Sequence, residues 1–104
     1  MYYVYIVTNI ANTVLYTGFT NNLLRRIYEH REKVVDGFSK RYNLFKLVYF
    51  EESENAFSAI EREKKIKNMS RQRKKDLISS KNEMWTDLWP EVSGSYEGDS
   101  TPFS

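Results

Sequence analysis

The sequence predicts an α+β domain: a small three-stranded antiparallel sheet flanked by helices, in the order β-β-α-β-α-α. Three observations predict it. Two strand-like runs, "YYVYIVT" and "VLYTG", are separated by the turn-forming "NIANT". A third run, "LFKLVYF", is apolar and aromatic around a single lysine and reads as another strand. The stretches between and after the strands carry capping residues followed by helical spacing of apolar positions.

Residues Tyr2 to Thr8 are rich in β-branched and aromatic side chains, so they read as the first strand. Asn9 and Asn12 suit a turn, and Val14 to Gly18 form the second strand of an antiparallel hairpin. Gly18 ends that strand where the backbone must turn sharply or let something approach closely. Thr20, Asn21 and Asn22 are candidate caps for a helix running through "LLRRIYEHREKVV", with apolar residues at 23, 24, 27 and 34. Asp36 and Gly37 close it. The third strand is expected over 44–50, and Glu51 to Asn55 form a polar break. A second helix, "AFSAIEREKKIKNM", places Phe57, Ile60 and Ile66 roughly on one face, and Ser70 caps a third, "RQRKKDLISSK". Trp85 and Trp89 are expected to fold back onto the core.

At 104 residues the chain has room for one modest core, assigned to residues 1–90. Residues 91–104, rich in Gly, Ser, Asp and Pro, read as a disordered acidic tail. The absence of cysteine excludes disulfide staples and thiolate metal sites and suggests a cytoplasmic setting. No apolar run approaches the ~20 residues of a membrane span, and the N-terminus lacks the pattern of a signal peptide. The formal charge of +2 hides an asymmetry: all 16 Lys and Arg lie between Arg25 and Lys81, and five of the 14 acids lie beyond Asn82. A basic body of this kind suits a polyanionic partner.

The chemistry must come from tyrosine, arginine, histidine and carboxylate. Two glycines before the tail are too few for a nucleotide-cradling loop, and one histidine excludes a multi-histidine metal site. Tyr5 and Tyr16 sit on adjacent strands and share a face if the register allows. Two phenols there could hold or deprotonate a water. Arg26 and His30 are four residues apart, on one helix face, where a guanidinium can pair with a phosphate and an imidazole can shuttle a proton. Glu63 lies among Lys64, Lys65 and Lys67; one carboxylate with substrate oxygens is a common way to hold Mg²⁺. From Arg62 to Lys75 there are eight basic residues and one acid, a surface that contacts phosphates without reading sequence. The same residues also fit a plainer reading, packed tyrosines and solvated basic helices.

Their order favours the sharper one. Tyr3-Val4-Tyr5, then Tyr16-Thr17-Gly18, then "NLLRRIYEH" and "AIEREKKIK" resemble the GIY-YIG endonuclease superfamily, above all its small single-domain bacterial branch. The resemblance covers about residues 1–90. It implies a three-stranded antiparallel sheet with helices, and cleavage of phosphodiesters by one divalent metal and a tyrosine-assisted water. It matches Tyr5 and Tyr16 to the motif tyrosines, Gly18 to the motif glycine, Arg26 and His30 to the helix pair, and Glu63 to the metal-binding glutamate. Tyr3 departs from the first motif's glycine and Thr17 from the second's aliphatic residue. Asn82 is the candidate for an asparagine some members carry beyond the glutamate. Ser39 stands where some place a second histidine, with Lys40 or Arg41 able to compensate.

The leading expectation is therefore a metal-dependent DNA endonuclease. Tyr5, Tyr16, Arg26 and His30 would act on the phosphate, and Glu63 would hold Mg²⁺ or Mn²⁺. DNA, branched or single-stranded, would be gripped at Gly18, Arg25, Lys40, Arg41, Lys64, Lys67 and Asn82. Which tyrosine takes the proton, and whether a protein partner supplies specificity, stay open. The alternative is a weak or inactive nucleic-acid-binding module on the same scaffold, and a third reading is a protein-interaction domain.

Overall fold

A computed structural model describes residues 1–33, 37 and 41–94. The elements are β1 (Tyr2–Thr8), β2 (Leu15–Thr20), α1 (Leu23–Arg31), β3 (Lys46–Ser53), α2 (Ala56–Lys67), α3 (Arg71–Lys81) and a short α4 (Trp89–Ser93). The strands form the three-stranded antiparallel sheet that the sequence predicts, in the order β2-β1-β3. Asn9 makes the hairpin turn: its Oδ1 accepts from the backbone N–H groups of Thr13 at 2.9 Å and Val14 at 3.0 Å. Asn12 takes the left-handed conformation that the turn requires, at φ 59°.

Each of α1 to α3 starts on a side chain that satisfies an otherwise orphaned N–H. Asn22 caps Arg25, Asn55 caps Ser58 and Ser70 caps Arg73. The sheet is buried on both faces. Tyr5, Val7 and Leu47 pack with Leu23 and Ile27 of α1, and Trp89 and Val92 of α4 join them. On the other face Val4, Ile6, Val48 and Tyr49 pack with Ala59 and Ile66 of α2 and Ile78 of α3. Trp85 and Trp89 fold back onto opposite cores, as expected.

Several boundaries differ from expectation. β3 begins at Lys46 and continues through the predicted polar break to Ser53, because Glu51, Glu52 and Ser53 pair with Val4, Tyr3 and Tyr2. Phe57 does not face the core; it is 70% exposed, and Ala59 is buried with Ile66 instead. Helix α1 ends at Arg31 and α2 at Lys67, whereas the sequence pattern carries the second to Met69. Val34 to Asp36, the expected end of α1, lie outside the described residues. Residues 91–93 belong to α4 rather than to a tail, and the tail from residue 95 lies outside the described residues.

A bulge in β3 anchors the segment after α3. Ile6 faces Tyr49 and Val7 faces Leu47, so Val48 is the extra residue. Its carbonyl accepts from Asn82 Nδ2 at 3.0 Å. Asn82 Nδ2 also donates to Thr86 O, and its Oδ1 accepts from Thr86 N and Oγ1. Leu88 N–H donates to Leu47 O, and Asp87 accepts from Leu47 N–H while pairing with Arg31 at 2.6 Å. The segment 82–88 is thereby tied along the outer edge of β3.

Candidate active site

The register of the hairpin builds the site. Tyr5 stands opposite Gly18 and Val7 opposite Tyr16, so both phenols project to the α1 face. Tyr5 is 1% exposed, and its hydroxyl lies where a Gly18 side chain would be. A Cβ there would fall 2.6 Å from the hydroxyl oxygen and 2.7 Å from Cζ. No residue but glycine leaves that space.

Two side chains of α1 meet the hydroxyl. Arg26 Nε donates to it at 3.2 Å, and it lies 3.1 Å from His30 Nε2. The oxygen accepts from the guanidinium and shares one hydrogen with the imidazole nitrogen, in the direction that the ring's tautomer sets. Arg26 also pairs with Glu29 at 3.2 Å. The His30 ring lies edge-on to Tyr5 at 5.6 Å and tilted against Tyr16 at 6.0 Å, joining both phenols. Burial pushes Tyr5 up to about 12; the Arg26 hydrogen bond and charge oppose this, and Tyr16 and the Glu63 carboxylate add to the rise. Burial, helped by the Arg26 charge, brings His30 down to about 4. At neutral pH the pair is an un-ionised phenol bonded to an uncharged imidazole.

Helix α2 supplies the remaining groups. Glu63 is largely buried, its side chain 14% exposed, and its Oε2 lies 3.4 Å from Lys67 Nζ. Lys67 in turn stands 5.8 Å from the Tyr16 ring centre. No grouping of three or more His, Asp or Glu occurs among the described residues. A lone carboxylate in a chain without cysteine fits a hard, oxygen-preferring divalent ion that takes its other ligands from water and substrate.

The structure brings together Tyr5, Tyr16, Gly18, Arg26, His30 and, through Lys67, Glu63. It does not bring in the others. Asn82 is 8% exposed and its amide bonds to Val48 and Thr86, so it holds the bulge. Arg41 is exposed with its guanidinium over Tyr42 at 5.7 Å. Arg25 and Lys64 are exposed on their helices, and Ser39 and Lys40 lie outside the described residues. Sequence reasoning missed the Arg26–Glu29 pair, whose three-residue spacing was its signal.

A hairpin that sets two tyrosines around a glycine, an α1 arginine–histidine pair and Glu63 of α2 define a nuclease-like scaffold of the GIY-YIG type. The chain matches the GIY-YIG catalytic domain over residues 1–76. It belongs to that family, and within it to the small UPF0213 proteins. It is 44% identical over 82 residues to a UPF0213 protein of Clostridium perfringens, covering 79% of this chain and 87% of that one. It is 33% identical over 78 residues to one of Natronomonas pharaonis, covering 75% and 91%. The solution NMR structure of a UPF0213 protein from Bacillus halodurans superposes with a TM-score of 0.54 at 27% identity, covering 86% of this chain and 96% of that one. Among the described residues no helix is long and apolar enough to cross a membrane.

Proposed function

We propose that this protein is a divalent-metal-dependent endonuclease that hydrolyses DNA phosphodiester bonds at the Tyr5–Tyr16–Arg26–His30–Glu63 centre. The observation that carries this reading is the Tyr5 hydroxyl, held between a guanidinium and an uncharged imidazole in the space left by Gly18. A structural tyrosine needs one partner; this one joins a cation to a group able to take up a proton.

In the reaction, water adds to phosphorus and the bond to the leaving sugar oxygen breaks. Mg²⁺ or Mn²⁺ held by Glu63 would supply charge neutralisation at the phosphate. Arg26, fixed by Tyr5 and Glu29, neutralises the charge that develops on the phosphoryl oxygens. Tyr16 is only partly buried, so its hydroxyl orients the attacking water, whereas Tyr5 is closed to solvent and holds Arg26 and His30 in place. His30, uncharged at neutral pH and 3.1 Å from the Tyr5 hydroxyl, assists proton transfer by keeping that hydroxyl oriented. The exposed cations of α2 and α3 hold the polymer by its backbone.

The test is cleavage of supercoiled plasmid and of labelled single-stranded and branched DNA in Mg²⁺, Mn²⁺ and EDTA. Wild type is expected to cut only with metal, and Glu63→Ala to lose about 10³-fold or more in rate with its fold intact. Equal cutting by the two proteins would remove Glu63 from the centre. Salt-sensitive binding without any cutting would instead favour a binding module.

A further inference from the structure

Lys67 is placed differently from the other cations of the basic stretch. It is the last residue of α2, where a cation complements the helix dipole, and its ammonium turns inward to two groups of the site. One is Glu63 Oε2 at 3.4 Å; the other is the Tyr16 ring at 5.8 Å. The ion pair is also the loosest among the described residues. Arg26–Glu29, Arg31–Asp87 and Arg62–Glu51 close to 3.2, 2.6 and 2.7 Å, each through a guanidinium. Lys67 is a flexible ammonium with a side chain 48% exposed, facing a carboxylate that is 14% exposed. Such a pair holds the carboxylate's charge without fixing the lysine, which can leave when another cation takes its place.

We propose that Lys67 is an exchangeable cation of the active centre. It neutralises Glu63 while no other cation does so, and turns to a substrate phosphate oxygen once Glu63 is neutralised. The proposal rests on the reading of this centre as a phosphodiester site. It gives Lys67 a role distinct from general phosphate attraction: its contribution to nucleic-acid binding depends on the state of Glu63. A surface lysine such as Lys64, exposed on the same helix, has no such dependence.

The test is a double-mutant cycle read by fluorescence anisotropy of a labelled oligonucleotide in EDTA, where no cleavage occurs. Glu63→Gln removes the anion with little change of shape. In the wild-type background Lys67→Met is expected to weaken binding by about twofold or less, because the ammonium is held by Glu63. In the Glu63→Gln background the same change is expected to weaken it by about tenfold, with Lys67→Arg retaining most of the affinity. Lys64→Met is expected to cost the same factor in both backgrounds. An equal cost of Lys67→Met in both backgrounds would overturn the exchange and leave the endonuclease reading standing. Failure of every variant, and of wild type, to bind the oligonucleotide would overturn the nucleic-acid reading and this proposal with it.

Discussion

The two faces of the sheet each hold a tyrosine bonded to a polar cluster, and the clusters behave differently. On the α2–α3 face Tyr49 donates to Glu51, Arg62 forks onto the same carboxylate at 2.7 and 3.3 Å, and Lys81 stands over the Tyr49 ring at 5.2 Å. Burial pushes Tyr49 up to about 12, with the bond to Glu51 adding to the rise. Burial opposes ionisation of Glu51, but Arg62 and Tyr49 more than offset it and hold the carboxyl below its usual range. The carboxylate there already has its opposite in Arg62. On the α1 face the Tyr5 phenol lies just as high, yet its neighbour is a neutral imidazole rather than a carboxylate. Among the described residues the arginine beside it pairs with Glu29, 32% exposed and so weakly held. One cluster spends its tyrosine and arginine on a single carboxylate and fastens β3 to α2. The other keeps room for a proton and an anion.

Three changes probe that contrast. Tyr5→Phe removes the hydroxyl that aligns Arg26 with His30, and DNA cleavage is expected to fall by about 10²–10³-fold, measured as single-turnover rate. A rate within threefold of wild type would make Tyr5 as structural as Tyr49. The second probe is acid. His30 has its folded pKa lowered to about 4 from 6.5, so the folded state favours the uncharged ring. This contribution is complete above pH 6.5 and is lost as pH falls through 4. It amounts to on the order of 3 kcal/mol across that window. Urea unfolding from pH 7 to 4 is expected to show this loss in wild type and much less of it in His30→Gln. Parallel curves for the two would mean the ring is accessible to protons in the fold. The smallest effect is Tyr49→Phe. Glu51 keeps both bonds from Arg62, so stability is expected to fall by about 1 kcal/mol while cleavage is unchanged. Urea denaturation and the plasmid assay check the two halves of that expectation.

How much of the molecule is legible in the sequence depends on how local each signal is. Strand β1 and helix α3 are legible to their observed limits, because a run of β-branched and aromatic residues and a serine cap are written in adjacent residues. The pairing of Tyr5 and Tyr16 on one face is legible once a hairpin is assumed, since only the register remains. The role of Asn82 is not, because it depends on a bulge at Val48, and no residue type announces a bulge 34 positions away. The exposure of Phe57 is hidden because α2 meets the sheet through alanine, and a rotation about the helix axis exchanges one apolar set for another. The approach of Lys67 to Tyr16 depends on how α2 lies across the hairpin, which no spacing within the helix encodes.

The knot around Val48 has a consequence for the company the protein keeps. A three-stranded sheet has two open margins, each a template on which another chain could lay a strand. Residues 82–88 occupy part of one margin, along Leu47 and Val48. The opposite margin is β2, the strand that carries Tyr16 and Gly18. A second copy joining through β2 would lie along the strand from which the phenol and the Gly18 space are presented. A strand added there would pair with the β2 backbone, beside the residues that present the phenol rather than across them.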